Sequence, residues 1–407
     1  MKKLLLMLIA IVSVAPQLSA QWKLTNVPAS KIIVALAVSG SKVFAASGEG
    51  TDGIYLSTDN GGTWAQVTGL PINLTIYSLA ISGSNTFAGT NKGVYLSTDN
   101  GNTWNAVNTG IPDTTISSLT VSGSNIFAGT EFNGIYLSSD NGNSWNAINT
   151  GMPTHTTVQS IAISGSNIWA GTHGDGIYLS TNNGSNWTAM NNGIDIKSGS
   201  YLFIPSIGIS GSNIFLGIYY EGVLLSTNNG STWSQAQVNT GLPNPLTITS
   251  IVISGTHVFA GTADSYDSPI YMSNDNGNTW TSVNTGLNKV GVMQLAISGT
   301  NLIAGTSGGV WIRPLSEMSA ITGINEMSSQ NSPEIFPNPS HGIFNIKNIN
   351  SGRYTIQLFD VTGKSMLNQS IVSGQTSFDA SGLNDGIYNV SIINNDCVTN
   401  RRLVICK

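Results

Sequence analysis

Six short turns carry an acid or an amide at the same place, in a segment that reads Ser-x-Asp-x-Gly-x-Thr-Trp or a close variant. Each acid or amide, with the tryptophan that ends its turn, is as follows: Asp59 and Trp64, Asp99 and Trp104, Asp140 and Trp145, Asn182 and Trp187, Asn228 and Trp233, Asp275 and Trp280. Repeated carboxylates could bind calcium or act as acids and bases. Two positions hold asparagine, which keeps an acceptor but loses the charge that a hard cation favours. Six equivalent positions cannot all belong to one active site. The sequence therefore favours a structural role, in which the side chain accepts N–H groups that the turn leaves unpaired, and predicts no metal or other cofactor.

The other acids that could do chemistry fall in variable loops between the repeated segments. Glycoside hydrolysis needs two carboxyl groups roughly 5–10 Å apart, one as acid and one as base or nucleophile. The acids expected on one face of the fold are Glu49, Asp52, Asp113, Glu131, Asp175, Asp195, Glu221, Asp264 and Asp267. Most fit solvated loop charges, and Asp175, Glu221 and Asp267 are the least unfavourable catalytic candidates. We expect no enzyme, with a carboxylate-pair hydrolase acting on an extracellular polysaccharide as the alternative.

Aromatic side chains gather in the variable loops of neighbouring repeats. The longest connection carries Tyr201 and Phe203, and the next loop contains two consecutive tyrosines and a glutamate. Rings beside acids and amides are typical of surfaces that recognise sugars or proteins. The candidate binding residues are His173, Asp175, Tyr201, Tyr219, Tyr220, Glu221, Tyr266 and Asp267. For Tyr201 and Phe203 the alternative is partial burial in core strands.

A repeat of 40 to 47 residues positions all of these loops. A Ser-Gly dipeptide marks it seven times, at Ser39, Ser82, Ser122, Ser164, Ser210, Ser254 and Ser298. Short alternating segments before and after each dipeptide give four strands per unit, which indicates an all-β fold and a propeller blade. The seventh unit stops at Arg313 without an acid-bearing turn, whereas the segment after Gln21 matches the strand that follows each such turn. We therefore predict a seven-bladed β-propeller over 21–315, closed by residues 22–27 as the outermost strand of the last blade.

The six turns resemble the Asp-box, or BNR-like, motif of sialidase-like propellers. Sialidases of this fold clamp the substrate carboxylate with three arginines, and this propeller has only Arg313 and no Arg-Ile-Pro motif. The resemblance therefore does not imply sialidase activity for this protein. Xyloglucanases with Asp boxes use two propellers that form a cleft, whereas sortilin-type receptors and photosystem assembly factors use one as a protein-binding platform. The sequence favours a non-catalytic module that binds a glycan or a protein.

Composition and the amino terminus indicate export. Only 9% of the residues are charged, against roughly 25% in an average globular protein. The propeller's few cations are scattered, so we expect no nucleic-acid partner. Lys2 and Lys3 precede an apolar run from Leu4 to Val14 and a small-residue site at Ala20, which predicts a signal peptide over 1–20. A membrane helix is the alternative, but the run is too short to span. We expect no transmembrane segment after signal cleavage, and a monomer.

The carboxyl-terminal region resembles the type A sorting domain of the type IX secretion system. Its motifs begin with Phe336-Pro337-Asn338-Pro339 and continue through Gly363 and Gly386 to a basic, apolar ending. We assign 316–334 to a linker and 335–407 to this domain, which we expect to be a small immunoglobulin-like β-sandwich with strands at 343–347, 353–360, 365–372, 387–394 and 400–406. An ordinary adhesion module is the alternative. The resemblance implies the type IX machinery as a partner, and a secreted or outer-membrane-surface location. Whether Cys397 and Cys406 pair stays open at this point.

Overall fold

Each repeat folds into short antiparallel strands because apolar residues are interrupted by Gly, Asn and Ser at regular turns. In a typical repeat the second strand, Asn125–Thr130, is buried from its second residue onward. A strand in which consecutive residues are all buried has neighbours on both faces of its sheet. The sheet of one repeat is therefore packed between the sheets of two others.

The structure is a computed structural model. It describes residues 21–48, 53–71, 73–195, 202–234, 239–243, 246–263, 269–287, 289–318, 334–347, 353–360, 364–372, 377–394 and 397–407.

Seven sheets arise from the repeats and each is one blade; in six of them the strands follow chain order, and the seventh also includes the amino-terminal strand. The first strand of the described residues is β1 (Lys23–Leu24). Blade 1 has β2 (Ile33–Ser39), β3 (Lys42–Ser47), β4 (Ile54–Ser57) and β5 (Ala65–Val67). Blade 2 has β6 (Ile76–Ser82), β7 (Asn85–Thr90), β8 (Gly93–Ser97) and β9 (Asn105–Ala106). Blade 3 has β10 (Ile116–Ser122), β11 (Asn125–Thr130), β12 (Ile135–Ser138) and β13 (Asn146–Ala147). Blade 4 has β14 (Val158–Ser164), β15 (Asn167–Thr172), β16 (Ile177–Ser180) and β17 (Thr188–Ala189).

Of the last three blades, blade 6 repeats the four-strand order, whereas blades 5 and 7 each have three strands among the described residues of their own repeats. Blade 5 has β18 (Ser206–Ser210), β19 (Asn213–Ile218) and β20 (Gly222–Ser226). Blade 6 has β21 (Ile248–Ser254), β22 (His257–Thr262), β23 (Ile270–Ser273) and β24 (Thr281–Ser282). Blade 7 has β25 (Val292–Ser298), β26 (Asn301–Thr306) and β27 (Gly309–Pro314), and a 3-10 helix, Leu315–Glu317, follows it.

The amino-terminal strand closes the ring. In the register, Lys23 lies opposite Ile312 and Leu24 opposite Trp311, so β1 is the fourth strand of blade 7. The preceding Trp22 is buried, and its indole N–H donates to the Val283 carbonyl at 2.8 Å. The predicted seven-bladed propeller and its closing strand are both confirmed.

Close contacts between blades explain the small residues of the second strands. A Cβ at Gly129 would lie 2.3 Å from Ser118 Oγ and 2.9 Å from a Val158 methyl group of the next blade. No larger residue fits there, so the glycine permits the sheets to approach. Farther out, the Trp145 indole donates to the Val107 carbonyl of blade 2 at 2.7 Å, which fastens one blade to the previous one.

Residues 319–407 form a second compact unit, separate from 1–318. One sheet has the strands β28 (Glu334–Phe336), β29 (Ile343–Lys347) and β32 (Ser377–Asp379). The other has β30 (Arg353–Phe359), β31 (Ser365–Val372), β33 (Gly386–Asn394) and β34 (Cys397–Ile405), in the order β31-β30-β33-β34. Phe344 and Phe378 of the first sheet share a core with Ile356 and Val390 of the second. The unit is the expected immunoglobulin-like β-sandwich.

Three details of this unit go beyond the sequence prediction. The strands β28 and β32 were not expected, because each has only three residues and too short a pattern to detect. The first residue of β28, Glu334, falls inside the predicted linker. Cys397 begins β34 and Cys406 follows its end, so their Cα atoms are roughly 30 Å apart at the rise of an extended strand. A disulfide needs about 6 Å, and the two cysteines of one chain therefore do not pair.

Over the described part of the chain, no helix has the length and apolar character needed to cross a membrane.

Candidate recognition surface

The loops of the propeller fall into two sets at opposite ends of the strands. The acid-bearing turns contact the Ser-Gly turns, as where the Asn60 amide donates to the Ser41 carbonyl at 3.0 Å. The loops between second and third strands instead contact the connections between blades, as where the Tyr219 amide donates to the Phe203 carbonyl at 3.1 Å. We call the first side the turn face and the second the loop face. The candidate binding residues that the structure describes all belong to the loop face.

On the turn face, each acid of the repeated motif is used inside its own turn. In the third copy, Asp140 Oδ1 accepts the Ser144 amide at 2.9 Å and Oδ2 accepts the Ser144 hydroxyl at 2.6 Å. The hydroxyl of Ser138 also donates to Oδ1, at 2.7 Å. These hydrogen bonds from Ser144 and Ser138 lower the pKa of Asp140 to about 2. The carboxylate is occupied by donors of its own turn.

The two asparagine copies keep this arrangement without the charge. Asn228 Oδ1 accepts the Thr232 amide at 3.0 Å, while its Nδ2 donates to the Thr232 hydroxyl at 2.9 Å. Asn182 Oδ1 accepts the Asn186 amide at 3.0 Å. A turn that works equally with an uncharged side chain does not depend on a bound cation. Among the described residues, no cluster of His, Cys, Asp and Glu could hold a metal ion.

Replacement of Asp140 by asparagine tests this use of the carboxylate. A group whose folded pKa is lowered contributes stability above its unfolded pKa and loses it as the pH falls through the folded value. For Asp140 this interval runs from the ordinary value of 3.8 down to about 2. We expect Asp140→Asn to melt like the wild type at pH 7 and to lose less stability between pH 4 and pH 2. Thermal unfolding at pH 7 and between pH 4 and pH 2 measures both effects. An equal loss of stability on acidification in the variant and the wild type would contradict the prediction.

On the loop face, four side chains form a continuous aromatic row across blades 4 and 5. His173 and Phe203 have ring centroids 5.4 Å apart, Phe203 and Tyr219 6.0 Å, and Tyr219 and Tyr220 4.1 Å, each pair edge to face. The two tyrosine hydroxyls lie 3.2 Å apart. Tyr219 is 41% exposed and Tyr220 54%. We call His173, Phe203, Tyr219 and Tyr220 the aromatic row.

The backbone holds the row in place through bonds between loops of different blades. His173 and Phe203 form an isolated β-bridge, and the Tyr220 amide donates to Thr247 Oγ1 of the next blade at 3.3 Å. Tyr220 has a φ of 61°, a left-handed conformation that is strained for a bulky residue. Backbone strain of this kind concentrates at ligand-contacting sites.

An asparagine on each following connection clamps the loops that carry the row. Asn239 Oδ1 accepts the Val223 amide at 3.0 Å, and its Nδ2 donates to the Glu221 carbonyl at 3.4 Å. Asn191 holds the loop of Asp175 in the same way, at 2.8 Å and 3.2 Å. These clamps are absent from the sequence prediction, although a signal exists: Asn-Thr-Gly follows the outer strand at residues 108, 149, 239 and 284.

The remaining predicted residues have different positions. Asp175 Oδ2 accepts the Thr156 hydroxyl at 3.0 Å, and Glu221 is exposed beside Tyr220. Tyr201, Tyr266 and Asp267 lie outside the described residues. Phe203 is half-buried and still part of the row.

Phe132 is an exposed ring of the loop face that the sequence prediction missed. It is 58% exposed in blade 3, has a φ of 66°, and its amide donates to Thr157 Oγ1 at 3.1 Å. It therefore occupies in blade 3 the place of Tyr220 in blade 5. Aligning the two loops on Gly134 and Gly222 would have found it.

A central cavity of about 420 Å³ lies among the first strands of the blades. In six blades the register of this strand shifts at its second residue, and the bulged residues line the cavity. The lining residues at this position, with the proline of blade 5, are Val34, Tyr77, Ser117, Gln159, Pro205, Thr249 and Met293. We call them the bulge ring. They follow the inter-blade connections directly, so they lie toward the loop face. None of the described residues that line the cavity carries a charge.

Arg313 is buried and has no access to a ligand. It is 2% exposed, and its guanidinium donates to the carbonyls of Val283 at 2.9 Å and Glu317 at 3.3 Å. Burial lowers its pKa, which the nearby Glu317 partly offsets. The arginine of the propeller is thus a structural residue.

The sequence of residues 334–406 matches the family model described as the secretion system C-terminal sorting domain. This match confirms the predicted resemblance and indicates secretion and attachment to the cell surface. No curated protein sequence gives a significant match.

Solved structures with a similar fold are propeller proteins of low sequence identity. YCF48 bound to D1 peptide is 14% identical with a TM-score of 0.58, over 72% of this chain and 96% of that one. The GH74 xyloglucanase from Xanthomonas campestris is 12% identical with a TM-score of 0.57, over 94% and 68%. The extracellular domain of BT4673 from B. thetaiotaomicron is 15% identical with a TM-score of 0.58, over 94% and 52%. At these identities the similarity establishes the fold alone.

Proposed function

We propose that the propeller is a non-catalytic module that binds a glycan or a protein outside the cell through the aromatic row. The observation that carries this proposal is the row itself, whose outer tyrosines are about half exposed. Rings that are already packed against one another and bonded to neighbouring loops lose little freedom on binding. Large, rigid and partly exposed aromatic side chains are what recognition surfaces use.

The charges of the loop face support binding over hydrolysis. A carboxylate pair needs one acid that can donate a proton and one that can attack or activate water. The Asp175 carboxylate accepts the Thr156 hydroxyl, and the described lining of the central cavity has no carboxylate at all. Of the solved structures with this fold, one holds a D1 peptide and another is a xyloglucanase, so both ligand classes fit a propeller scaffold.

We further propose a division of labour along the chain. Residues 1–20 would direct export across the inner membrane, 21–315 would bind the ligand as a monomer, and 335–407 would engage the type IX machinery after the linker at 316–334. Truncation after residue 318 in the native host is the direct test, since the propeller should then stay in the periplasm while the full chain reaches the surface.

Substitution of both exposed tyrosines tests the binding surface. We expect Tyr219→Ala/Tyr220→Ala to weaken binding by about 2 kcal/mol, roughly 30-fold in Kd, because central aromatic anchors dominate interface energies. Glycan arrays and cell-adhesion assays are the screens for the ligand, and calorimetry then measures its affinity. Ile32→Ala is the matched control, since Ile32 is 38% exposed on the same face at blade 1. Equal affinity of the double variant and the wild type would disprove the role of the row.

A further inference from the structure

The residue at the bulge ring position differs from blade to blade. Directly after it, five of the innermost strands share serine followed by a leucine or isoleucine, for example Ser78-Leu79 and Ser160-Ile161. Two of these serines donate to the next blade, Ser78 to the Ile116 carbonyl at 3.3 Å and Ser160 to the Ile204 carbonyl at 2.8 Å. The ring position itself holds tyrosine, glutamine, methionine and smaller residues. The ring position thus varies among the repeats, whereas the residue that follows it is serine in five of them.

The bulges aim the ring residues into the cavity. A β-bulge adds one residue to a strand and re-aims its side chain, and bulges are common beside functional sites. Tyr77 is 45% exposed although it belongs to the innermost strand of its blade. The hydroxyls of Ser117 and Thr249 already donate hydrogen bonds to backbone carbonyls. In the described ring, the phenol of Tyr77 and the amide of Gln159 are therefore the larger polar groups offered to a ligand.

The chemistry of the ring selects an uncharged ligand. A phenol and an amide supply donors and acceptors, and Met293 and Pro205 supply apolar surface, in a cavity without charge. An ionic ligand would lose its hydration there without gaining a counter-charge. A sugar ring, with hydroxyls at its edge and C–H groups on its faces, matches both kinds of lining. The cavity volume of about 420 Å³ lies within the range of small-ligand sites.

The ring is continuous with the aromatic row. Phe203 belongs to the row and Pro205 to the ring, and two residues span at most about 7 Å. We infer that the loop face binds a neutral glycan chain, with several sugars along the aromatic row and the end of the chain in the central cavity, held by Tyr77 and Gln159. This inference rests on the proposed binding function and narrows its ligand to uncharged carbohydrate.

A length series of neutral oligosaccharides tests the inference on the full chain. The probes are gluco-, xylo- and manno-oligosaccharides from disaccharide to octasaccharide, with oligogalacturonate as the charged comparison, and calorimetry gives the affinities. We expect affinity for one neutral series to rise until the chain reaches both the row and the cavity. Tyr77→Ala should then weaken the long oligosaccharides about tenfold, and Gln159→Ala about fivefold. Tyr77→Phe, which preserves packing, should lose only the part of the affinity that the Tyr77 hydroxyl contributes.

Gln66→Ala, on the exposed outer strand of blade 1, is the control for an amide loss away from the cavity and should bind like the wild type. If Tyr219 and Tyr220 prove essential while the Tyr77 and Gln159 variants bind normally, the placement of the glycan end in the cavity is wrong. The proposed binding function would still hold. Tighter binding of oligogalacturonate, or of a protein only, would overturn the neutral-glycan class. If the row variants as well as the ring variants bind every ligand like the wild type, the proposed function itself fails.

Discussion

Removal of the Trp22 side chain should lower the free energy of unfolding by about 3–5 kcal/mol, the usual cost of truncating a buried tryptophan to alanine. Trp22 is 2% exposed and bonds to Val283, which belongs to a segment more than 250 residues away in the chain. The strand that follows it supplies the fourth strand of blade 7, so the cost falls on the contact that closes the ring. For a domain of this size the loss corresponds to a melting temperature lower by roughly 6–10 °C.

Lys23→Ala is the matched control for Trp22→Ala. Lys23 is the next residue of the chain but is exposed, so its loss should change stability by no more than about 0.5 kcal/mol. Hydrogen exchange gives a second readout, because the amides of β27 should exchange faster in Trp22→Ala while those of blade 3 keep their protection. Unchanged melting of Trp22→Ala would mean that the ring is held closed without its amino-terminal strand.

The fold was predictable because its information is local and repeated. Each blade has the same sequence pattern of strands and turns, and seven occurrences of one pattern identify the repeat architecture. The closing strand could also be found, since the segment at Trp22 repeats the one at Trp64 and the seventh unit lacks it. The three-residue strands β28 and β32 were missed for the opposite reason. They occur once, and they pair with β29 in a sheet whose Phe344 and Phe378 share a core with the other sheet.

The candidate site was predictable only in part. His173, Tyr219 and Tyr220 stood out by residue type, and the topology of the blades placed them together. The edge-to-face packing through Phe203 could not be inferred, because burial in a core strand was an equal alternative for that residue. One ring in a polar loop does not stand out by itself, so Phe132 becomes equivalent to Tyr220 only when the two loops are aligned on Gly134 and Gly222. The left-handed backbone of both residues agrees with that alignment.

The bulge ring had no sequence signal that could be interpreted alone. A bulge is a mismatch between two paired strands, so it becomes visible only when the register is known. Without the bulge, Tyr77 and Gln159 read as ordinary members of alternating strands. The scaffold of this protein is thus encoded by what its repeats share, and the surface proposed for recognition by where they differ.

Loss of the Arg313 side chain is the second large effect that we expect. Its guanidinium is buried and satisfies the carbonyls of Val283 and Glu317, so Arg313→Ala leaves two acceptors without this donor and a cavity behind. We expect a loss of about 3 kcal/mol from these two causes together. Arg313→Met keeps most of the volume and removes only the donors, so it should cost about half as much. Denaturant unfolding of both variants separates packing from hydrogen bonding.

The coupling between Arg313 and Trp22 gives the sharpest form of this prediction. Both side chains donate to the same Val283 carbonyl, at 2.9 Å and 2.8 Å, and one donor can partly satisfy that oxygen when the other is removed. Each single substitution is buffered in this way, whereas the double variant Trp22→Ala/Arg313→Ala leaves the carbonyl with neither side-chain donor. Its cost should therefore exceed the sum of the single costs by about 1 kcal/mol. Strictly additive costs would show that the two residues stabilise blade 7 independently, and a loss below about 1 kcal/mol for Arg313→Ala would show that the buried guanidinium adds little to the closed ring.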